Sequence, residues 1–116
     1  MRITHIVAGL PPGGGIAESV PRLCQHLRRL GHEVTLATLD GPLSEAALAA
    51  GAAGVRLVRF RPSRPRALFF SWQMLRRLRR VCAEAEVVHV HSNWTFPVWW
   101  GCRCALREGK RLVMSP

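Results

Sequence analysis

The chain has 116 residues with 17 Lys and Arg against 7 Asp and Glu, and its formal net charge is +10. This length excludes more than one domain, and such a domain buries roughly 65% of the surface of its unfolded chain. No apolar run reaches the roughly 18 to 20 residues of a membrane-spanning helix, and the first residues lack the long apolar region of a signal peptide. We therefore expect a cytoplasmic protein, with peripheral contact to the inner face of the cell membrane as a further option.

The charge indicates the kind of partner, and the cysteines indicate the redox state of the protein. Lys110 is the only lysine, so nearly all of the positive charge is carried by arginine. This bias has two explanations, the nucleotide composition of the source genome or a preference for phosphate, so the charge only makes an anionic partner plausible. We expect no nucleic-acid partner. The 4 cysteines lie in apolar or helical segments rather than in a dense disulfide framework, so we expect reduced thiols.

The first element is an apolar strand over residues 3–8 that runs into a glycine-rich loop over residues 9–15. Backbone without side chains lets a phosphate approach the free N–H groups at the start of the following helix. The loop is not a dinucleotide fingerprint, because Glu18 stands where the third glycine would be, and no Walker motif follows. A simple tight turn is the alternative. Three glycines exceed what a turn requires, so we predict an anion-binding role for Gly13, Gly14 and Gly15.

Helices and strands then alternate to the end of the chain. The patterns predict a helix over residues 19–30 with Ser19 as N-cap and Gly31 after its end, a strand over 34–39, a helix over 43–50 ending at Gly51, a strand over 55–60, a helix over 66–85, a strand over 87–91, a helix over 94–107 and a strand over 112–114. This βαβαβαβαβ order predicts an α/β fold with an open parallel, Rossmann-like sheet and strand order 3-2-1-4-5.

In such a sheet the ligand crevice lies at the carboxyl ends of the strands, between the first and the fourth strand. We expect it to be lined by the glycine loop and by residues 89–94. His89 and His91 are two apart and point to the same side of their strand. A zinc site needs three or four ligands, and no further His or Cys pair has suitable spacing, so we predict no metal. The alternative for His89 is a buried core histidine with a satisfied hydrogen bond.

The longest predicted helix carries Arg76, Arg77, Arg79 and Arg80. Such residues commonly form a solvated helix face. Phe69, Phe70 and Trp72 precede them, and this combination also suits an anionic membrane surface.

Three motifs in order resemble one known family. They are Pro-Gly-Gly-Gly at residues 12–15, Leu-Gly-His-Glu-Val-Thr at 30–35 and Val-Val-His-Val-His-Ser-Asn-Trp at 87–94. Together they resemble the N-terminal domain of family 4 glycosyltransferases, which are retaining enzymes of GT-B architecture that transfer a sugar from a nucleotide-sugar donor. The resemblance covers essentially the whole chain.

The resemblance implies roles for particular residues. Gly13, Gly14 and Gly15 would approach the donor diphosphate or the acceptor. The acceptor side would be lined by His91, Ser92, Asn93 and Trp94. Many relatives have a histidine just after the fifth strand, where this chain has Ser115 and Pro116, so no catalytic residue is assigned. The nucleotide-sugar is a substrate rather than a cofactor, and no metal is implied.

Family members continue into a second domain that holds the nucleotide, whereas this sequence stops at Pro116. We therefore expect residues 1–116 to form a partial N-terminal domain that is inactive alone, with a missing C-terminal domain or a partner chain supplying the rest. Its acceptor would be a glycan or a lipid-linked sugar in polysaccharide biosynthesis. Two alternatives remain open: a non-catalytic phosphate- or nucleotide-binding module, and a basic peripheral-membrane adaptor that uses residues 66–80.

Overall fold

Strands and helices alternate through the described part of the chain. The structure is a computed structural model, and it describes residues 1–64, 69–92 and 95–115. The elements in chain order are β1 (Arg2–Ile6), α1 (Gly15–Arg29), β2 (Glu33–Leu39), α2 (Glu45–Ala52), β3 (Arg56–Phe60), α3 (Trp72–Ala83), β4 (Val87–His91), α4 (Phe96–Arg107) and β5 (Arg111–Ser115).

The five strands form one sheet in the order β3-β2-β1-β4-β5, and every pairing is parallel. This confirms the predicted strand order. The order changes direction between β1 and β4, where His5 lies opposite His89 in the register. In the next pairing His91 lies opposite Ser115. The carboxyl ends of all strands therefore meet at one edge, which is where open α/β sheets bind ligands.

Two helices cover each face of the sheet. Helices α1 and α2 pack together on one face, and α3 and α4 pack together on the other. The first face buries Val7 and Leu36, and the second buries Ile6, Val88 and Val90. Because side chains alternate along a strand, Ile6 and its neighbour His5 point to opposite faces.

Helix α1 begins earlier than the sequence indicates. Gly14, with φ −86° and ψ 146°, is the N-cap, and Ser19 lies inside the helix. The prediction of Ser19 as N-cap was wrong. Ala17 is buried in the first turn of α1, and the pattern of polar residues in the sequence does not indicate this burial. The predicted helix end was correct, since Leu30 is the C-cap and Gly31 follows it with φ +95°.

The other helix boundaries shift by a few residues. Helix α2 continues through Gly51, and Gly54, with φ +100°, follows its C-cap. Helix α3 begins at Trp72 because the Ser71 hydroxyl caps it by accepting from the Met74 N–H. The predicted start of this helix at residue 66 falls among residues 65–68, outside the described residues. No helix in the described ranges is both long and apolar enough to cross a membrane.

An interior proline in α1 is accommodated by a side chain from the next helix. Pro21 has no N–H to donate to the Ala17 carbonyl one turn earlier. The buried Ser44 hydroxyl donates to that carbonyl at 2.6 Å. The same oxygen accepts from the Ala47 N–H at 3.1 Å and so caps α2. One serine therefore satisfies backbone groups of both helices and holds them together.

Replacing this serine tests the arrangement. Ser44→Ala removes a helix cap and leaves the buried Ala17 carbonyl without a donor, so we expect the free energy of unfolding to fall by about 2 to 3 kcal/mol. Urea denaturation measures the loss. In a Pro21→Ala background the backbone N–H returns and can donate to Ala17, so the same serine replacement should cost at least about 1 kcal/mol less. Equal losses in both backgrounds would contradict this explanation.

Candidate functional site

The glycine loop leads directly into the N-terminus of α1. Gly13 has φ +85°, a conformation that residues with a Cβ rarely adopt. Gly14 is the N-cap without a side-chain hydrogen bond, and Gly15 is the first helical residue. A Cβ on Gly15 would meet no atom of the described residues within 4 Å. The first N–H groups of α1 are therefore open to an anion, and the helix dipole favours negative charge at this end.

The end of β4 carries the second group of predicted site residues. His91 is buried, and its Nε2 lies 2.8 Å from Nδ1 of His5. Ser92 follows with φ +81°, and its N–H donates to the Ser115 carbonyl at 2.8 Å. Holding a residue other than glycine in this region costs about 1 to 2 kcal/mol, and such strain concentrates at functional sites. Asn93 and Trp94 lie outside the described residues.

Three histidines form a cluster on β1 and β4. The ring centroids are 4.9 Å apart for His5 and His89, 5.1 Å for His5 and His91, and 4.0 Å for His89 and His91. His5 is 1% exposed, and its Nε2 has no hydrogen-bond partner among the described residues. His89 is half-buried, and its Nε2 lies 2.6 Å from the Ser115 hydroxyl. Sequence reasoning missed His5, although the predicted strand order already placed β1 beside β4.

The surroundings keep the clustered histidines neutral. Burial, followed by the nearby His91 and His89, lowers the pKa of His5 from 6.5 to about 3. Burial and then His89 lower the pKa of His91 to about 4. Burial also lowers the pKa of the half-buried His89. At neutral pH each ring therefore has one nitrogen with a lone pair and one N–H.

A groove opens at the same edge of the sheet, but it faces β2 and β3. Its volume is about 250 Å³, and its lining comes from the ends of β1, β2 and β3 and from an exposed aromatic ring: Ala8, Gly9, Leu10, Pro11, Leu39, Asp40, Gly41, Pro42, Pro62 and Phe69. Neither Gly13–Gly15 nor His91 lines this groove. Leu10, at the base of the groove, is buried against the α1–α2 layer, and its carbonyl accepts from the Ser44 N–H at 2.8 Å.

The expected crevice, lined jointly by the glycine loop and residues 89–94, stays a prediction, because Asn93 and Trp94 lie outside the described residues. Both segments lie at the carboxyl edge of adjacent strands. Among the described residues, no hydrogen bond joins Gly13, Gly14 or Gly15 to His91 or Ser92. The edge contains two neighbouring features: a glycine loop beside an apolar groove, and a histidine cluster at the β1–β4 junction.

Comparison with known proteins decides the family. The model of Glycosyltransferase Family 4 matches residues 13–116. The chain belongs to glycosyltransferase family 4. No curated protein matches it significantly by sequence.

The fold of this family 4 chain is similar to that of a crystallised glycosyltransferase from Rickettsia africae ESF-5. The two are 14% identical with a TM-score of 0.60, over 97% of this chain. The chain spans 28% of the length of that enzyme. At this identity the similarity concerns the fold, and it agrees with the observed strand order.

The neutral histidines make the stability of the family 4 chain dependent on pH. The unfolded chain takes up protons on His5 and His91 below pH 6.5, whereas the folded chain does so only near pH 3 to 4. The contribution of these histidines to the free energy of unfolding is therefore fully present above pH 6.5. It is lost as the pH drops toward 4, by up to about 1.4 kcal/mol per pH unit for each histidine. Urea denaturation at pH 7.5, 6.5 and 5.5 in EDTA measures this slope.

His91→Gln should reduce the slope, because one of the two groups no longer titrates. The matched control is His26→Gln, since His26 is exposed on α1. We expect this control to keep the wild-type slope. Equal slopes for the wild type and His91→Gln would show that His91 is not held neutral in the folded chain.

Proposed function

We propose that this family 4 chain is the acceptor-side part of a retaining glycosyltransferase of GT-B architecture. The complete enzyme would move a sugar from a nucleotide-sugar to a glycan or lipid-linked acceptor in polysaccharide biosynthesis. The observation that carries the proposal is the family match over residues 13–116. The nucleotide would be held by a second Rossmann-like domain, on the same chain or on a partner chain, and residues 1–116 alone would be inactive.

The groove at the carboxyl edge supports an acceptor role. Apolar and proline side chains dominate its lining, and Phe69 beside it is 45% exposed. Such a surface suits the C–H face of a sugar ring or the first part of a lipid chain, because both bury apolar area on binding. Asp40 lies in the same lining and can accept hydrogen bonds from sugar hydroxyls.

The glycine loop supports contact with a phosphate group. Residues 9–15 contain no charged side chain. Any attraction for an anion must therefore come from backbone N–H groups and the α1 dipole, which act at short range and only on a group that approaches closely. The open space at Gly15 permits this approach. In the complete enzyme, these donors would hold a phosphate of the lipid-linked acceptor beside the groove.

Amide chemical shifts in the intact chain test the acceptor role. We expect glycan and polyprenyl-phosphate sugar acceptors to shift the amides of Gly9, Gly13 and Gly15, and nucleotide-sugars to shift them less. Gly15→Ala should weaken acceptor binding about tenfold, because the new methyl group occupies the approach to the N–H donors. Within the described part of the chain, no atom lies within 4 Å of this methyl group, so we expect the variant to fold.

Arg56→Ala is the control, because Arg56 lines a cavity at the opposite, amino-terminal edge. It should bind acceptors as the wild type does. Preferential binding of nucleotides would favour the alternative of a non-catalytic nucleotide-binding module. Shifts confined to the amino-terminal edge, or none with any acceptor, would overturn the acceptor-side proposal.

We also infer a contact with anionic membranes from one surface of the α3–α4 layer. Trp72 and Trp99 are 56% and 55% exposed. They are linked through Phe70 and Phe96, whose ring centroids lie 4.7 Å apart. Exposed arginines follow on the same helices: Arg76, Arg77, Arg80, Arg103 and Arg107. Aromatic rings beside arginines suit the headgroup region of a membrane, which would bring a lipid-linked acceptor to the groove.

Sedimentation with vesicles of phosphatidylglycerol and phosphatidylcholine tests this contact. The Trp72→Ala, Trp99→Ala double variant should bind the vesicles about tenfold more weakly, and added salt should release the wild type because it screens the arginines. The control is Leu48→Ala, which removes a side chain of similar exposure, 57%, on the opposite layer. Equal binding of all three proteins would exclude a role for the two tryptophans.

A further inference from the structure

The histidine cluster has the composition of a metal site. One ring nitrogen from each of His5, His89 and His91 can be chosen so that all three lie within 4.8 Å of one another. Two of these side chains come from β4 and the third from β1, 86 positions away from His91. Parallel pairing at the switch point aligns them on one face of the sheet.

The spacing of the nitrogens suits a tetrahedral ion. Zinc bonds of about 2.0 to 2.1 Å at tetrahedral angles place the ligand nitrogens about 3.3 Å apart. The cluster brackets this value, with 2.8 Å between His5 Nδ1 and His91 Nε2 and an upper limit of 4.8 Å for the set. The His89 and His91 rings stack with an interplanar angle of 24°, so both rings would rotate on binding to direct their lone pairs at one ion.

We propose that His5, His89 and His91 bind a divalent first-row transition-metal ion, with zinc as the representative ion. Three imidazoles without a carboxylate select zinc, nickel, copper or cobalt over magnesium and calcium, which require oxygen ligands. The prediction of no metal from the sequence considered the two histidines of β4 alone. With His5 the number of protein ligands becomes three, which is the number found in zinc sites that keep one coordination position open.

One further observation supports a ligand at this point. The Ser115 hydroxyl lies 2.6 Å from His89 Nε2. Metal-bound imidazoles commonly donate their second N–H to an oxygen, and Ser115 offers one in that position.

The cluster is accessible from one side. His89 is half-buried, and Val113, its neighbour in the β4–β5 register, is 44% exposed. An ion can therefore enter over β5 and keep its fourth coordination position for water or for a ligand from another segment. The site does not depend on the proposed sugar transfer, because its ligands are separate from the groove.

Calorimetric titration of the chelator-treated chain with zinc chloride tests the proposal. We expect one zinc per chain, and at least a tenfold weaker association for His89→Asn. The matched control is His26→Asn, which removes an exposed histidine outside the cluster and should bind zinc as the wild type does. Loss of binding in His26→Asn, retention of full affinity in His89→Asn, or no binding by the wild type would overturn the site.

X-ray absorption of the zinc-loaded wild type decides the ligand type without any variant. Nitrogen ligands at about 2.0 to 2.1 Å with the scattering pattern of imidazole are expected. A sulfur shell at about 2.3 Å would assign the zinc to thiols such as Cys82 and Cys104 and would overturn the proposal. Because this measurement uses only the wild type, its result is valid even if His89→Asn does not fold. Circular dichroism would show whether that variant folds.

Discussion

Parallel pairing of β1 with β4 is the constraint on which the rest of the molecule depends. These two strands lie at the centre of the sheet, and the chain between them builds the whole β2–β3 side. Their pairing places the carboxyl end of β1, which leads into the glycine loop, beside the carboxyl end of β4, which leads toward Asn93 and Trp94. Side chains far apart in the sequence thereby share one edge of the sheet.

The same pairing buries polar groups at the centre of the molecule. His5 and His91 are buried, and a charged imidazole in this place would lose its hydration. They remain neutral and share a hydrogen bond of 2.8 Å. A neutral histidine cluster is compatible with folding near neutral pH and also has lone pairs available for a cation. The pH dependence of stability and the proposed metal site therefore both depend on the same burial.

The α1–α2 layer positions the glycine loop through a few buried contacts. The Ser44 hydroxyl links the two helices, because it donates to the Ala17 carbonyl and accepts from the Ala47 N–H at the N-terminus of α2. Its N–H also holds the carbonyl of Leu10 in the loop. Gly9, Leu10 and Pro11 of this loop line the apolar groove.

Local sequence patterns determined the alternation of strands and helices, the strand order, the glycine-rich entrance to α1 and the pair of histidines on β4. These features follow from periodicity, turn residues and the handedness of crossovers, which act over short segments. Only the tertiary structure decided that His5 joins the pair, because a shift of one residue in the β1–β4 register would turn it to the other face. It also decided the direction of the glycine loop and the start of α1, because both depend on which side chains are buried between elements distant in the chain.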